Sequence, residues 1–485
     1  MDYSGVVVLD TGSSCVKVGY SGEDEPRYVF PTVVGHPVVG SENYRKPAPP
    51  TYRDEEYVSK DDIEVDHVNH SMSESAHATC DDGGWVHPVS RGRVVDWDAM
   101  EKVWDYALTV GLDMPEGASP SQPQGGGGCC PVLLTEAPHS DAKSRERSAQ
   151  YLFESAGVPS LVVASSAVCS LFASGRTQGI VLECGGGYTA AVPVFEGFAL
   201  SHATLRVDLG GSDLTTAVRE CFLSGGAGQS DVDPSVLSWE VVQRIKEASG
   251  FVRPTLSGGA PPVDKPSDRT TVHGQAYVRG KAFELPDGTI LALGDSLRCG
   301  PIESLLFPER EPSSPGYANT LANVATQPGE LPTPADAKEG VAALVHRSIA
   351  MCDAELQPDL WRNVVCAGGT TLLPHFPSRL EAELRALPSS NPSSPHSPPN
   401  ALPTPFSHAA GFGHKSLGSR TAIGRNAIGV VPDPVNPERG YNAQRGHAAW
   451  VGGSVFGSLD TFAHVAVTRA EWEEHGASIV HKKCF

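Results

Sequence analysis

Two segments of this sequence place an acidic residue at the end of an apolar run and follow it with a turn of small residues. They read VVVLDTGSSCVK and GIVLECGGGYT. The positions that could carry chemistry are Asp10, Gly12, Ser13, Ser14 and Lys17 in the first segment, and Glu183, Gly185, Gly186 and Gly187 in the second. Either segment alone also fits an ordinary β-turn, but the repeated plan indicates phosphate binding.

Two such turns can face each other across a cleft and present backbone N–H groups to phosphate oxygens. The carboxylates of Asp10 and Glu183 could then hold a hydrated Mg²⁺ between them. Glycine suits these positions because a Cβ atom would keep the backbone away from the phosphates. A third turn, CAGGTTLLP with Gly368, Gly369 and Thr370, is either a helix-capping loop or, beside the other two, a further nucleotide contact.

The segments around these turns alternate between two kinds of pattern. GVVVLD, PVLLTEAP, SLVVAS and GIVLECG are short β-branched runs of the kind that form buried strands. Apolar residues recur with helical spacing after Asp98 (Met100, Val103, Trp104, Ala107, Leu108) and after Asp141 (Ala149, Leu152, Phe153, Ala156). Strands that alternate with helices predict an α/β fold with a partly parallel sheet.

Composition excludes several classes of protein. The 485 residues carry 37 basic and 57 acidic side chains, a formal net charge of −20, which disfavours direct binding of nucleic acid. No signal-peptide pattern and no membrane-spanning run is visible, so we expect a soluble, intracellular protein without membrane insertion. The 11 cysteines show neither zinc-ligand spacing nor a disulfide framework, and we expect reduced thiols.

Four stretches rich in Pro, Gly or polar residues interrupt the folded pattern. They lie at about 40–86, 115–130, 308–334 and 389–405. The last has almost nothing to bury, and we expect it to be disordered. Because core-like segments resume on both sides of each stretch, we interpret all four as insertions into one scaffold.

These motifs, taken together, resemble the actin family, and the chain is similar to a divergent actin-related protein. The matching segments run from VVVLDTGSSCVKVGYSGEDEPRYVFPTVVGHP through GRVVDWDAMEKVWDYAL, VVQRIKEASGFV and ELPDGTILALGDSLRC to GASIVHKKCF. The resemblance implies an actin-like duplicated α/β fold, the superfold shared with Hsp70 and sugar kinases, with two lobes of two subdomains around a cleft that holds ATP or ADP with Mg²⁺.

By this resemblance, residues 1–485 form a single actin-like domain with four subdomains. Subdomain 1 comprises about 1–31, 89–173 and 448–485, and the divergent subdomain 2 comprises about 32–88. Subdomain 3 comprises about 174–209 and 295–447, with the insertions 308–334 and 389–405, and subdomain 4 comprises about 210–294.

The resemblance also assigns residues to the nucleotide. The family contacts the β- and γ-phosphates at positions that correspond to Asp10, Gly12, Ser13 and Lys17. Ser14 stands in place of a glycine. Gly185, Gly186 and Gly187 form the second phosphate turn. Lys246 and Glu247 match residues that flank the adenosine, and Gly368, Gly369 and Thr370 match the turn beside the purine. Asp10 and Glu183 would hold Mg²⁺ through water.

The family's hydrolytic centre is altered in this chain. Ser166 replaces the glutamine that holds the attacking water, and Ala190 replaces a histidine that helps relay the proton. Positioning governs phosphoryl transfer to water, so we expect no catalytic residues and a negligible ATPase. Glu183 replaces an aspartate, and Gly186 replaces the aspartate that bonds the ribose.

On the adenine side, glycine replaces a lysine in either of two alignments, at Gly440 or at Gly446. Leu373 stands in place of a tyrosine, and Arg91 stands in place of a histidine. Loss of these contacts is expected to weaken nucleotide binding.

The resemblance therefore implies a cytoskeletal or complex subunit in the cytoplasm that binds nucleotide structurally. Its closest counterparts by motif are conventional actin and the centractin-type protein of dynactin. Its partners would be other actin-fold or cytoskeletal subunits, and a long homopolymer is not expected. One alternative is a nuclear actin-related subunit of a chromatin-remodelling complex. Another is an active small-molecule kinase of the same superfold, which the actin-type tail GASIVHKKCF disfavours.

Overall fold

The computed structural model describes residues 5–35, 85–112, 130–224, 237–253, 269–308, 340–387, 428–432 and 441–484, apart from 273–274, 279–280, 286–287 and 289. The predicted insertions lie almost wholly outside these ranges, as does most of the predicted subdomain 2. The division into four subdomains therefore stays a prediction.

The β-branched runs of the sequence form strands. Their bounds are β1 Val7–Thr11, β2 Cys15–Tyr20, β3 Tyr28–Pro31, β4 Val34–Gly35, β5 Trp85–Val86, β6 Val89–Ser90, β7 Arg93–Val94, β8 Val132–Glu136, β9 Ser160–Ser165, β10 Gly179–Cys184, β11 Thr189–Phe195, β12 Phe198–Ala199, β13 Leu205–Val207, β14 Arg269–Val272, β15 Gln275–Val278, β16 Lys281–Glu284, β17 Ile290–Leu293, β18 Val364–Ala367, β19 Val430–Val431 and β20 Val467–Thr468.

The amphipathic segments form helices. Their bounds are α1 Trp97–Thr109, α2 Ala142–Gln150, α3 Ser166–Ala173, α4 Gly211–Leu223, α5 Trp239–Ser249, α6 Asp295–Leu306, α7 Gly340–Ala350, α8 Gln357–Arg362, α9 Phe376–Ala386, α10 Tyr441–Gln444, α11 Ala448–Gly457, α12 Phe462–Val465, α13 Arg469–His475 and α14 Val480–Lys483. A π-helical turn, Tyr151–Ser155, continues α2.

Two sheets in the described part of the chain repeat one plan. The first has the order β20-β9-β8-β1-β2-β3, and the second has the order β12-β11-β10-β18-β19, with β13 also paired to β11. In each sheet an antiparallel hairpin, β1–β2 or β10–β11, adjoins two parallel neighbours, β8 and β9 or β18 and β19. The predicted partly parallel α/β architecture is confirmed, and the repeated motif follows from a repeated sheet.

Helix α1 shows how local sequence sets an element. It begins at Trp97, and its N-cap is Asp96, whose Oδ1 accepts a hydrogen bond of 2.9 Å from the backbone N–H of Ala99. The helical pattern predicted a start after Asp98, which is wrong by two residues because Asp96 is the side chain that caps the free N–H groups. The predicted apolar stripe, including Met100 and Trp104, is buried.

Helices α3 and α11 lie between the two sheets. On the side of the first sheet, Cys169 of α3 and Trp450 of α11 pack against Val8 and Leu133. On the side of the second sheet, other residues of the same two helices, such as Leu171 and Ala448, belong to a core cluster with β10, β11 and β18. These two helices therefore join the halves of the molecule.

Within the described residues, the helices are all too short or too polar to cross a membrane.

Candidate functional site

The first turn lies between β1 and β2, whose pairing sets Asp10 opposite Lys17. Lys17 Nζ donates a hydrogen bond of 2.7 Å to Asp10 Oδ2, and Thr135 Oγ1 at the end of β8 donates one of 2.5 Å to Oδ1. Burial opposes ionisation of Asp10, but the Lys17 charge and these hydrogen bonds outweigh it and hold the pKa of Asp10 below its usual value. Asp10 is therefore a fixed, charged carboxylate.

The second turn lies between β10 and β11, and Glu183 stands near the end of β10. Ser166 Oγ donates a hydrogen bond of 2.9 Å to Glu183 Oε2, and the Tyr188 hydroxyl donates one of 3.2 Å to Oε1. Burial, reinforced by the negative charge of Asp10, raises the pKa of Glu183 to about 7. The two carboxylates of the site thus differ in charge state near neutral pH.

The two turns face each other at close range. A Cβ atom built on Gly186 would lie 1.8 Å from Ser14 Oγ, and one built on Gly187 would lie 2.5 Å from Ser13 Oγ. Only glycine allows this approach, as expected for turns of this kind. The structure therefore brings Ser13, Ser14, Gly186 and Gly187 together.

Backbone carbonyls of both turns accept hydrogen bonds from neighbouring segments. Thr32 donates to the carbonyls of Gly12 and Ser14 on the first turn. On the second turn, the backbone N–H groups of α4 donate to the carbonyls of Gly185 and Gly186, at 2.9 Å each. These hydrogen bonds to the carbonyl oxygens fix the backbone of each turn.

The backbone N–H groups of four turn residues are left available. Within the described part of the chain, those of Ser13, Ser14, Gly186 and Gly187 have no hydrogen-bond acceptor. Clustered free N–H groups of this kind form anion-binding concavities. Together with the carboxylates of Asp10 and Glu183, these N–H groups are of the kind that bind a phosphate chain and its hydrated Mg²⁺.

Metal ligation by protein alone is not indicated. No group of three or more His, Cys, Asp or Glu residues in the described ranges could hold a metal ion. Asp10 and Glu183 could contact a cation only as a pair, so phosphate oxygens and water would have to complete its coordination, as Mg²⁺ in phosphate sites usually requires.

An ion pair that the sequence did not indicate closes one side of the second turn. Arg91, between β6 and β7, donates two hydrogen bonds to Asp213 at the start of α4, at 2.5 and 2.8 Å, and one to the carbonyl of Gly187 at 3.3 Å. The next residue, Gly92, donates to Ser13 Oγ at 2.8 Å. The Arg91–Asp213 pair therefore fixes both turns through one short hairpin.

The third turn joins the site through Thr370. Its Oγ1 donates to the carbonyl of Gly185 at 3.2 Å. Gly368 has φ +89, and a Cβ atom there would lie 2.4 Å from the carbonyl oxygen of Cys184, so glycine is required on both grounds. A Cβ atom built on Gly369 would have no heavy atom within 4 Å, which leaves this face of the turn open.

Of the two residues expected to flank the adenosine, only Lys246 is part of this cluster. Lys246 Nζ donates hydrogen bonds of 2.8 Å to the carbonyl of Gly211 and to Thr215 Oγ1, and burial lowers its pKa to about 8. Glu247 is exposed on the other side of α5 and accepts a hydrogen bond from Gln243. Its predicted contact with nucleotide stays a prediction.

Of the two glycines that could replace the adenine-side lysine, Gly446 lies beside the third turn. The carbonyl of Arg445 accepts a hydrogen bond from Gly368 N–H at 2.9 Å. A Cβ atom on Gly446 would lie 3.0 Å from Leu372 Cδ1. Gly446 therefore lies beside the third turn, which the family resemblance places next to the purine, whereas Gly440 of the other alignment lies outside the described residues.

His447 is a further residue of the site that the sequence did not indicate. Its Nδ1 is buried without a hydrogen-bond partner among the described residues. Burial and the nearby Lys17 charge lower its pKa, against the opposing effect of Asp10. A neutral imidazole thus lies near the Asp10–Lys17 pair, and no local pattern around His447 would have indicated it.

Glu183→Gln is expected to stabilise the nucleotide-free protein more at pH 8 than at pH 5. The folded-state pKa of Glu183 is raised from 4.5 to about 7. The neutral Glu183 carboxyl therefore contributes its full share to the free energy of unfolding below pH 4.5, and this share is lost as pH rises through 7. At 1.36 kcal/mol per pKa unit, the variant should gain up to about 3 kcal/mol at pH 8. Urea unfolding at both pH values measures this gain.

The matched control for this prediction is Glu247→Gln, which changes an exposed carboxylate. It should alter the free energy of unfolding by a similar small amount at both pH values. A Glu183→Gln gain that is equal at pH 5 and pH 8 would contradict the prediction.

Comparison with known protein families gives one extensive match. A family model described as Actin matches residues 1–411 and 435–485. The match covers nearly the whole chain and agrees with the duplicated mixed sheets. The family resemblance and the actin-like two-lobed fold predicted from the motifs are therefore confirmed.

Proposed function

The chain belongs to the actin family, and from this premise we propose that it is a structural subunit that holds Mg-ATP or Mg-ADP and hydrolyses ATP negligibly. The observation that carries this proposal is the pair of facing turns, with four free backbone N–H groups next to two carboxylates. Such a cradle recognises phosphate through its backbone. Loss of side-chain contacts to base and ribose should make the affinity weaker than that of conventional actin.

The proposal of negligible hydrolysis is supported by what surrounds Glu183. Tyr188 and Ala190 share one face of the second sheet, and Glu183 is the direct cross-strand partner of Ala190. The Tyr188 hydroxyl lies 3.2 Å from Glu183 Oε1, and Ala190 belongs to the same buried cluster as Tyr188. A glutamine at 166 and a histidine at 190 would be larger than the serine and alanine present and would have to share this buried region with the ring.

The remaining polar groups here are engaged elsewhere. Ser166 Oγ donates to Glu183, and the Arg206 guanidinium lies 4.5 Å from the centre of the Tyr188 ring. Neither Ser166 nor Ala190 offers a group to orient water in line with a γ-phosphate. Because positioning supplies most of the catalysis in phosphoryl transfer, we expect bound ATP to persist for hours.

Addition of millimolar Mg-ATP is expected to raise the thermal midpoint of the purified chain. A ligand that binds only the native state adds RT ln(1 + [L]/Kd) to stability, about 2.7 kcal/mol when its concentration is 100 times Kd. Asp10→Asn combined with Lys17→Met should abolish the shift. This double change removes both charges, so that neither is left buried alone.

Lys143→Met is the matched control, because Lys143 is exposed on α2, away from both turns. It should keep the full Mg-ATP shift. If the wild-type chain shows no shift at millimolar Mg-ATP and equilibrium dialysis detects no binding, the proposed nucleotide site is refuted.

Other actin-fold or cytoskeletal subunits in the cytoplasm are the partners that we propose. The support is family membership together with a net charge of −20, which suits protein contacts better than nucleic acid. Affinity purification with mass spectrometry tests this proposal. Recovery of chromatin-remodelling subunits without cytoskeletal proteins would instead support the nuclear alternative.

The purified chain is expected not to assemble into long homopolymers. The insertions near 115, 308 and 389 and the segment 40–86 lie, by family resemblance, at or near filament contacts. Their Pro-, Gly- and polar-rich composition predicts segments that a contact would have to order, at a cost of about 1 to 2 kcal/mol per residue in backbone entropy. Sedimentation under polymerising salt and Mg²⁺ should leave the chain in the supernatant, and pelleted long filaments seen by electron microscopy would contradict this expectation.

A further inference from the structure

Arg91, the charged side chain that contacts the second turn at Gly187, is paired with Asp213. Gly186 stands where the family resemblance places a ribose-binding carboxylate, and the adjacent volume is filled by Ser14. A Cβ atom on Gly186 would lie 1.8 Å from Ser14 Oγ and 3.0 Å from Ser14 Cβ. Ser14 and Gly186 are thus complementary in size, and a side chain at 186 would require the Ser14 side chain to move.

Most polar side chains around the third turn bond the protein itself. Lys246 bonds Gly211 and Thr215, and Thr370 bonds Gly185. Thr371 Oγ1 donates to the carbonyl of Gly368 at 2.8 Å, and Arg445 Nη2 donates to the carbonyl of Thr371 at 2.8 Å. Among the described residues here, Arg445 Nε and His447 Nδ1 are buried without a hydrogen-bond partner.

The surface that the third turn presents is instead apolar. Leu372 is 43% exposed and lies against Gly446. Gly369 beside it is open on its outer face. A base placed here would meet aliphatic carbon and backbone, which provide stacking area without reading the hydrogen-bonding edge of adenine or guanine.

We propose that this site binds its ligand through the polyphosphate and does not select the base or the sugar. The inference rests on the proposed nucleotide site. A site that hydrogen-bonds a substrate group rejects analogues without it by several orders of magnitude, whereas an apolar surface discriminates only weakly. The free N–H groups of Ser13, Ser14, Gly186 and Gly187 act on phosphate, which all nucleoside triphosphates share.

Competition binding with Mg²⁺ complexes of ATP, dATP, GTP and inorganic tripolyphosphate tests this proposal on the full chain. The four Kd values are expected to agree within about tenfold, and adenosine is expected not to compete. A preference for ATP over GTP or dATP of more than a hundredfold, or competition by adenosine at ATP-like concentrations, would overturn the proposal. If none of the four polyphosphates binds, the proposed function fails, and this inference fails with it.

A pair of variants tests the role of Ser14 and Gly186. Ser14→Gly combined with Gly186→Asp makes room for a carboxylate, which can bond ribose hydroxyls. We expect this double variant to prefer ATP over dATP by at least tenfold. Ser14→Gly alone is the matched control and should show no such preference, because it adds space without a carboxylate.

Gly186→Asp alone should be destabilised, since the Ser14 side chain would have to move away from the new Cβ atom. The thermal midpoint of the single variant should therefore fall below that of the double variant. An equal midpoint for the two would show that Ser14 does not restrict position 186. If the double variant binds ATP and dATP equally well, the assignment of position 186 to the sugar is wrong.

Discussion

Phosphate release from Mg-ATP should rise by about 10²- to 10⁴-fold when Ser166→Gln and Ala190→His are combined with Tyr188→Val. The wild-type protein should hold ATP unhydrolysed for hours under the same conditions. The gain comes from orienting a water molecule, because the carboxylates of Asp10 and Glu183 and the two proposed phosphate-binding turns are already present. A phosphate-release assay at equal nucleotide occupancy measures the gain.

The third substitution is needed because of where the Tyr188 ring lies. Its hydroxyl reaches Glu183, and the ring also limits Gly92, at which a Cβ atom would lie 2.5 Å from Tyr188 Cε1. Ala190 is fully buried in the same core cluster, so we expect an imidazole at 190 to be overpacked while the tyrosine remains. Valine keeps a residue that favours β-strands and removes the ring.

The matched control is the double variant Ser166→Gln with Ala190→His, which retains Tyr188. It should gain little activity and should lose stability, because overpacking a core costs about 1 to 3 kcal/mol. Actin-like hydrolysis by the wild-type chain would contradict the role given to Ser166 and Ala190. A triple variant that binds ATP but hydrolyses it no faster than the wild type would place the defect in the phosphate contacts, at Ser14 and Gly186.

Gly452→Ala is expected to reduce the free energy of unfolding by about 3 kcal/mol or more, at the upper end of overpacking costs. A Cβ atom there would lie 1.6 Å from the carbonyl oxygen of Cys169 and 2.4 Å from its carbonyl carbon. Both atoms are backbone, so α11 and α3 would have to separate. Since domains are stable by only about 5 to 15 kcal/mol, the change should show in both urea midpoint and soluble yield.

The crossing of α3 and α11 also matters for the site. Trp450 Nε1 of α11 donates to the carbonyl of Val8 in β1 at 3.1 Å, and α3 begins at Ser166. Displacement of either helix should therefore disturb both carboxylate-bearing strands. We expect Gly452→Ala to weaken Mg-ATP binding as well as stability.

Gly300→Ala is the matched control for Gly452→Ala. Gly300 lies inside α6, and a Cβ atom there would meet no heavy atom within 4 Å. Alanine favours helix more than glycine does, whereas Pro301 disfavours helical backbone at the residue before it, so the same chemical change should alter the free energy of unfolding by no more than about 1 kcal/mol. Equal urea midpoints for the two variants would show that helix propensity, and not the crossing, decides the outcome.

Features that depend on short stretches of chain were predictable from the sequence. A β-branched run that ends in an acid and a glycine turn encodes its own strand and turn, so the positions of β1 with Asp10 and of β10 with Glu183 follow from local sequence alone. Repetition of that plan indicated a duplicated fold. The start of α1 was misjudged by two residues, since Asp96 and Asp98 are both plausible caps and only the backbone geometry separates them.

Features that depend on contacts between distant segments were decided by the tertiary structure. Arg91 and Asp213 are 122 residues apart, and no periodicity connects them. The sequence showed Ser14 and Gly186 as two separate departures from the family, whereas the fold makes them one complementary pair.

Loss of the water-orienting side chains at positions 166 and 190 could likewise be read from the sequence. The hydrogen bond from the Tyr188 hydroxyl to Glu183 could not be predicted, because the direction of a side chain depends on strand pairing and on the neighbours across the sheet. The sequence by itself therefore determined the family, the strands and the phosphate turns, since each is written in a few consecutive residues. Which groups meet in the cleft, and which space is already filled, was decided only when the two halves packed together.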